Sequence, residues 1–140
     1  MLVNSVERKI MWGDLDSLGI VFYPRFYEWI DASGHLFFEA LGFNLGEVWK
    51  QRQICFGLVK TSCEYLAPGR YHQQIRIDTK VAELAAKTVT LDHRIIDAAS
   101  QALMVQGLEK RICLDVSDSE RFHARDIPAD IHRALEQSAR

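Results

Sequence analysis

The sequence predicts an α+β domain in which one long amphipathic helix packs on one antiparallel sheet. Three observations point there. A helical period runs from Pro24 to Leu41, four strand-like runs follow between residues 54 and 115, and the breaks between those runs are only a few residues long. Breaks that short favour antiparallel hairpins over parallel crossovers.

Residues 6–12 alternate Val6, Arg8, Ile10 and Trp12 against Glu7, Lys9 and Met11, a two-residue period that predicts a strand. Gly13-Asp14-Leu15-Asp16-Ser17-Leu18-Gly19 is dense in turn formers. The apolar bridge Ile20-Val21-Phe22-Tyr23 leads to Pro24, which suits the first position of a helix because its missing N–H costs nothing there. Phe26, Trp29, Ile30, Phe37 and Leu41 then share one face, with Arg25, Glu28, His35 and Glu39 opposite. Gly42 predicts the stop. About 18 residues at about 1.5 Å each give roughly 27 Å, enough to cross a small domain. Gly34 carries a helix penalty of about 1 kcal/mol, which predicts that another backbone approaches closely there.

Residues 43–53 read as a short helix or a loop. Strands are expected at 54–67, 73–83, 87–97 and 102–115, and a last helix at 128–138 starts at Pro128. The last of these strands carries apolar residues at both parities, Leu103 and Val105 as well as Met104 and Leu108. That predicts an oligomer in which another copy covers part of the sheet.

A chain of 140 residues reads as one domain, 1–140, long enough to bury one sizeable core. At 48% hydrophobic and 26% charged it is ordinary globular composition, which excludes disorder. Its formal charge of −2 argues against general binding to nucleic-acid backbone. No apolar run approaches the ~20 residues of a membrane helix. Met1-Leu2-Val3-Asn4-Ser5-Val6-Glu7 lacks the basic-then-apolar order of a secretory leader. Cys55, Cys63 and Cys113 are odd in number and widely spaced, so neither a disulfide framework nor a CxxC metal site is expected. The expected location is the cytoplasm. His72, His93, His123 and His132 have no metal-ligand spacing, so no metal and no cofactor is expected.

The informative stretch is Trp12 to Tyr27. It sets two carboxylates, Asp14 and Asp16, in a glycine-bounded loop just before the long helix. A helix N-terminus offers unpaired N–H groups and about half a positive charge. The N–H groups near Phe22 and Tyr23 belong to that set. A carboxylate beside such donors can attack a carbonyl while they hold its oxyanion. By spacing alone, the ordinary reading is an Asp that caps or orders a turn.

Trp12-Gly13-Asp14-Leu15-Asp16-Ser17-Leu18-Gly19-Ile20-Val21-Phe22-Tyr23-Pro24 resembles the signature of the 4-hydroxybenzoyl-CoA thioesterase family, whose fold is the hotdog: a long central helix wrapped by an antiparallel β-sheet. Leu58-Val59-Lys60-Thr61-Ser62-Cys63-Glu64-Tyr65-Leu66-Ala67-Pro68 resembles the strand that follows the helix in related short acyl-CoA thioesterases. The resemblance in element order covers nearly the whole chain. It implies hydrolysis of an aromatic or short-chain acyl-CoA thioester, with Asp16 as the catalytic carboxylate and the Tyr23 backbone N–H polarising the thioester carbonyl. Pro24 matches the aroyl branch better than members with His there. The resemblance further implies a homodimer or homotetramer with the site at a subunit interface.

The chemistry agrees with that implication. A thioester expels a thiolate whose conjugate acid has a pKa of about 8.5, so no acid partner is obligatory. A carboxylate is a weak general base near neutral pH, which favours nucleophilic attack through a transient anhydride; activation of water by Asp16 is the other route. Asp14 is expected to order the loop through backbone N–H groups.

Ser62, on the strand expected to line the pocket, is a candidate contact to the acyl group, and Phe22 a candidate pocket wall. Cys63 has no base at recognisable spacing and reads as packing. Phe26 and Trp29 read as core. Coenzyme A brings phosphates, which favour Lys and Arg. The family's basic cluster before the fourth strand is reduced here to Lys87, with Arg70, Arg94, Lys110 and Arg111 as possible replacements, and an acyl carrier protein in place of CoA fits a weaker nucleotide grip. Glu28 and Asp31 are the candidates for the branch that uses a helix carboxylate, and His35 reads as surface. Two rival functions are a hotdog acyl hydratase or dehydratase, which needs a His absent from this loop, and an acyl-CoA or acyl-carrier binding module without catalysis.

Overall fold

In the computed structural model, which describes residues 1–140, the strands form one sheet in the order β1-β3-β4-β5-β2 with every pairing antiparallel. The strands are β1 Asn4–Lys9, β2 Ile54–Tyr65, β3 Gln74–Leu84, β4 Thr88–Asp97 and β5 Leu103–Asp115, with a two-residue β6 at His123–Ala124 on β5. The helices are α1 Pro24–Ala40, α2 Leu45–Arg52 and α3 Ala129–Ser138. The fold is the hotdog, an α+β arrangement with α1 cradled in the curled sheet.

α1 forms where the apolar period placed it. Phe26, Trp29, Ile30, Phe37 and Phe38 are buried on its sheet-facing side, while Leu41 lies just past its end and is half-buried. Gly42 takes a φ of +98°, and the Gly42 and Phe43 N–H groups turn back to the Glu39 and Phe38 carbonyls at 2.9 Å each. That left-handed stop is a common helix ending. Residues 43–53 resolve as α2. Its cap is Asn44, whose side-chain oxygen accepts from the Glu47 N–H at 3.1 Å.

Two expectations change. The first strand is Asn4–Lys9 rather than 6–12: Trp12 sits in a single 3-10 turn, Trp12–Asp14, and is 73% exposed. Ile10 still exchanges backbone bonds with Gln73 and His72 at 2.9 Å each, and the chain turns away at Met11, whose N–H donates to the Asp14 carboxylate at 2.9 Å. The hairpin expectation holds for β3–β4 and β4–β5 but not for β2–β3. β2 pairs β5 at one edge, so residues 66–73 must travel across the sheet end. Hydrogen bonds fix that crossing: the Leu66 and Ala67 N–H groups donate to the Met104 carbonyl at 2.8 and 3.1 Å, and the Val21 N–H donates to the Gly69 carbonyl at 2.9 Å. The crossing thereby packs against the start of α1.

The core has two apolar clusters. One, with Ile10, Val21, Phe26, Trp29 and Ile75 among its members, lies under the start of α1. The other, with Phe37, Phe38, Phe56, Leu91 and Ile131, lies under its end and α3. Between them runs a buried polar belt. Thr79 Oγ1 meets His93 Nδ1 at 2.8 Å, and His93 Nε2 lies 3.2 Å from Glu109 Oε1. Arg111 binds Glu109 at 3.0 Å, the Phe56 carbonyl at 3.2 Å and Asp31 on α1 at 2.7 Å. Gly34 makes room for the belt. What approaches it is the Glu109 carboxylate, into which a Cβ at position 34 would run, rather than another backbone. The surrounding carboxylates hold the Arg111 guanidinium charged against the opposing effect of burial.

Candidate active site

The loop between β1 and α1 is built by Asp14. Its Oδ2 accepts the Met11 N–H at 2.9 Å, and its Oδ1 lies 3.6 Å from Arg8 and 3.7 Å from Arg25. Arg8 also stacks over the Trp29 ring at 4.6 Å, tying β1 to α1. Asp14 is 6% exposed, and these partners account for a buried carboxylate. Its role is the loop-ordering one expected from sequence.

Asp16 is half-buried. Its Oδ1 accepts the Leu18 N–H at 2.8 Å, an Asx turn that fixes the side chain. Its own backbone closes the loop: the Asp16 N–H donates to the Ile20 carbonyl at 2.8 Å and its carbonyl accepts from Gly19 at 3.0 Å. No side-chain donor occupies Oδ2. Short bridges from Leu15 to Val21 and from Ile20 to Arg70 hold the loop onto the crossing segment.

The two candidate donors at the helix start differ. The Phe22 N–H is spent on the Asp14 carbonyl at 2.8 Å. The Tyr23 N–H, immediately before Pro24, donates to no acceptor in the protein. Tyr23 is the N-cap of α1, so its N–H sits where the positive end of the helix adds to it. Beside it opens a cavity of about 250 Å³ lined by Tyr23, Phe26, Tyr65, Leu66 and Pro68 among others. Phe26 and Tyr65 rings lie 5.9 Å apart and Tyr23 meets Tyr65 edge-on at 6.4 Å, so one side of the cavity is an aromatic wall.

The other residues singled out in the sequence fall elsewhere. Phe22 is half-exposed, edge-on to Tyr23 at 5.7 Å, and outside the cavity wall. Ser62 lies on the sheet face opposite α1, in a separate groove. Lys87 sits in the β3–β4 turn, bound to Asp126 at 2.7 Å, at the end of the sheet away from Tyr23. Within one protomer the structure does not bring Ser62 or Lys87 to Asp16.

Cys63 is half-buried, and burial pushes its thiol up in pKa, as expected of a packing residue. Burial likewise pushes the Tyr65 hydroxyl up, with Cys63 and Tyr27 as neighbours. Glu28 is exposed and paired with Arg25, and His35 is exposed, its ring 2.8 Å from the Asp31 carbonyl. Arg111, a candidate for nucleotide contact, is instead 3% exposed and committed to the belt. Sequence reasoning missed the belt. Its only signal was Gly34, placed at the middle of the helix opposite strand positions that carry charge.

The profile of the thioesterase-like superfamily matches residues 10–135. The 4-hydroxybenzoyl-CoA thioesterase of Pseudomonas sp. (strain CBS-3) is 28% identical over 134 residues, covering 90% of this chain and 92% of that protein. A solved gentisyl-coenzyme A thioesterase is 30% identical, with a TM-score of 0.84 over 94% of this chain and 99% of that one. The 1,4-dihydroxy-2-naphthoyl-CoA thioesterase from Synechocystis shares the fold, at a TM-score of 0.84 and 18% identity over 95% of each chain.

Proposed function

The chain belongs to the thioesterase-like superfamily, and we propose that it hydrolyses an acyl-CoA thioester with an aromatic or short-chain acyl group. The observation that carries this reading is the unpaired Tyr23 N–H at the start of α1, in the same hydrogen-bonded loop unit as the Asp16 carboxylate. The Tyr23–Phe26–Tyr65 wall favours an aromatic acyl group, as do the acyl groups named for the gentisyl and 4-hydroxybenzoyl relatives.

In this mechanism the thioester oxygen accepts the Tyr23 N–H, which gains strength as the oxygen takes on negative charge. An Asp16 oxygen attacks the carbonyl carbon, the C–S bond breaks, and the electron pair leaves with sulfur as the CoA thiolate. Water then adds to the resulting anhydride. It releases the carboxylic acid, returns Asp16 and passes a proton to solvent. The alternative route has Asp16 take the proton of a water that attacks directly.

A homodimer or larger oligomer completes the site in this reading. β2 is a free sheet edge with Leu58 and Val59 half-exposed, and Trp12, Phe22 and Tyr23 expose aromatic surface around the loop. Patches of this kind mark contact surfaces.

Thiol release from aromatic and straight-chain acyl-CoA esters tests the proposal, with wild type compared against Asp16→Asn. The amide keeps the Oδ1 acceptor for Leu18, so the loop survives. A loss of more than about 100-fold, or about 2.7 kcal/mol of transition-state stabilisation, is expected. Equal rates in both proteins remove Asp16 from the chemistry. A single turnover in ¹⁸O-water separates the two routes: label in the Asp16 carboxylate requires the anhydride.

A further inference from the structure

Three aromatic rings wall the cavity beside the Tyr23 N–H, and they are not equivalent. Phe26 belongs to the core and is 3% exposed. Tyr23 is the N-cap of α1 and carries the free N–H. A change of side chain at either disturbs the core or the helix start. Tyr65 has neither duty. It ends β2, the edge strand of the sheet, and is 47% exposed. Its register partner is Val105, a buried core residue on the α1 side, and directly opposed residues share a sheet face. The Tyr65 ring therefore stands on the α1 side, where it meets Phe26 and Tyr23.

The backbone just past Tyr65 is pinned, because the Leu66 and Ala67 N–H groups share the Met104 carbonyl at 2.8 and 3.1 Å. The Tyr65 hydroxyl has Cys63 and Tyr27 as neighbours, and neither lines the cavity. What Tyr65 gives the cavity is its ring. The rest of the lining, Ile20, Val21 and residues 66–69, is apolar and without a charged side chain, so shape selects here rather than charge. The wall at Gly69 cannot recede. A Cβ there would lie 2.6 Å from Val21 and 3.0 Å from Ile10, both buried in the core. The cavity, about 250 Å³, is smaller than the ~300–1,000 Å³ of pockets that enclose a drug-sized ligand, and suits an acyl group alone. We propose that Tyr65 determines which acyl groups the cavity takes, its ring admitting one aromatic ring and turning away two fused rings. This role of Tyr65 rests on the acyl-CoA reading and narrows it to a substrate class. One methylene more or less in an apolar pocket changes relative rates by about 10–200-fold, and a fused ring asks for more room than that.

The test compares kcat/KM for benzoyl-CoA and 2-naphthoyl-CoA in wild type, Tyr65→Ala and Tyr65→Phe. The naphthoyl-to-benzoyl ratio is expected to rise by about tenfold or more in Tyr65→Ala. Tyr65→Phe keeps the ring and is expected to hold the ratio within about twofold of wild type. Tyr65→Leu removes the ring but keeps apolar cover over Phe26, and is expected to raise the ratio as well. A ratio unchanged within about twofold in both the Ala and the Leu variants overturns the proposal. So does a rise in Tyr65→Phe as large as in Tyr65→Ala, which gives the selection to the hydroxyl. The thioethers phenacyl-CoA and 2-naphthacyl-CoA keep the carbonyl but cannot be hydrolysed, so calorimetry with them reads the same ratio without turnover. A shift in their relative affinity with no hydrolysis of either ester supports the role of Tyr65 and refutes the thioesterase reading. Hydrolysis of both esters with no shift in either ratio refutes the role of Tyr65 alone.

Discussion

Glu109 folds its carboxylate over Gly34, filling the space that any side chain at that helix position would need. Glu109 cannot withdraw, because it is 1% exposed and held by Arg111 at 3.0 Å. Gly34→Ala removes a helix penalty of about 1 kcal/mol but overpacks the site, at a cost of about 1–3 kcal/mol. The expected outcome in urea denaturation is a lower midpoint. A higher midpoint would refute the packing role given to Gly34.

Arg111→Met leaves the Glu109 carboxylate buried beside His93 without its cation. Removing one partner of a buried pair costs about 3–5 kcal/mol, much of it from the stranded charge. Adding Glu109→Gln to Arg111→Met is therefore expected to recover part of the loss, which a double-mutant cycle measures directly.

The two loop carboxylates separate under the same substitution. Asp14→Asn keeps an oxygen for the Met11 N–H and loses only the charge facing Arg8 and Arg25, whose side chains are 41% and 39% exposed. A modest loss of stability, about 1 kcal/mol, with substantial hydrolysis retained, is expected. Asp16→Asn is expected to do the reverse, keeping stability and losing turnover. Equal loss of turnover in the two variants would sink the division of roles.

Burial pushes the Cys113 thiol up to about 11, so little thiolate forms near pH 8. Native protein titrated with a thiol reagent at that pH is expected to leave Cys113 unmodified while half-buried Cys55 reacts; in urea all three cysteines react.

Asp130 is hydrogen-bonded by Arg52 at 2.9 and 2.8 Å, and that contact lowers its pKa to about 2. A depressed carboxylate stabilises the fold above the unfolded value of about 3.9, and the contribution is lost as pH falls through the folded value. Both side chains are more than a third exposed, so screening keeps the effect below about 1 kcal/mol. Arg52→Ala is expected to flatten the dependence of stability on pH between about 4 and 2, to lower stability near pH 7 by less than about 1 kcal/mol, and to leave it almost unchanged below about pH 2.

Local signals carried much of this fold. The start of α1 at Pro24 and the alternation within β3 and β4 depend on neighbours a few residues away. The Asp14–Asp16 loop was legible for the same reason, since its bonds to Met11, Leu18 and Phe22 are all local. The placement of β2 beside β5 was not legible, because a short break usually means a hairpin and the bonds that route residues 66–73 come from Met104 and Val21. The belt was hidden for a related reason. Arg111 on a strand ordinarily faces water, and only the fold brings Glu109, Asp31 and Gly34 to one place.

The belt has a consequence for how the protein breathes. Apolar contacts bind residues within each half of the core, but between the halves lie polar contacts: Thr79 with His93, His93 beside Glu109, and Glu109 with Arg111. Such a seam lets one half open while the other keeps its packing, because stability is distributed in cooperative units rather than spread evenly. The half under the start of α1 holds the Tyr23 cavity; the half under α3 anchors the rest of the sheet. Amide hydrogens in native protein then exchange in two blocks, the Ile75–Ile77 and Met104–Val105 block with one opening energy and the Val89–Leu91 and Ile131–Leu135 block with another.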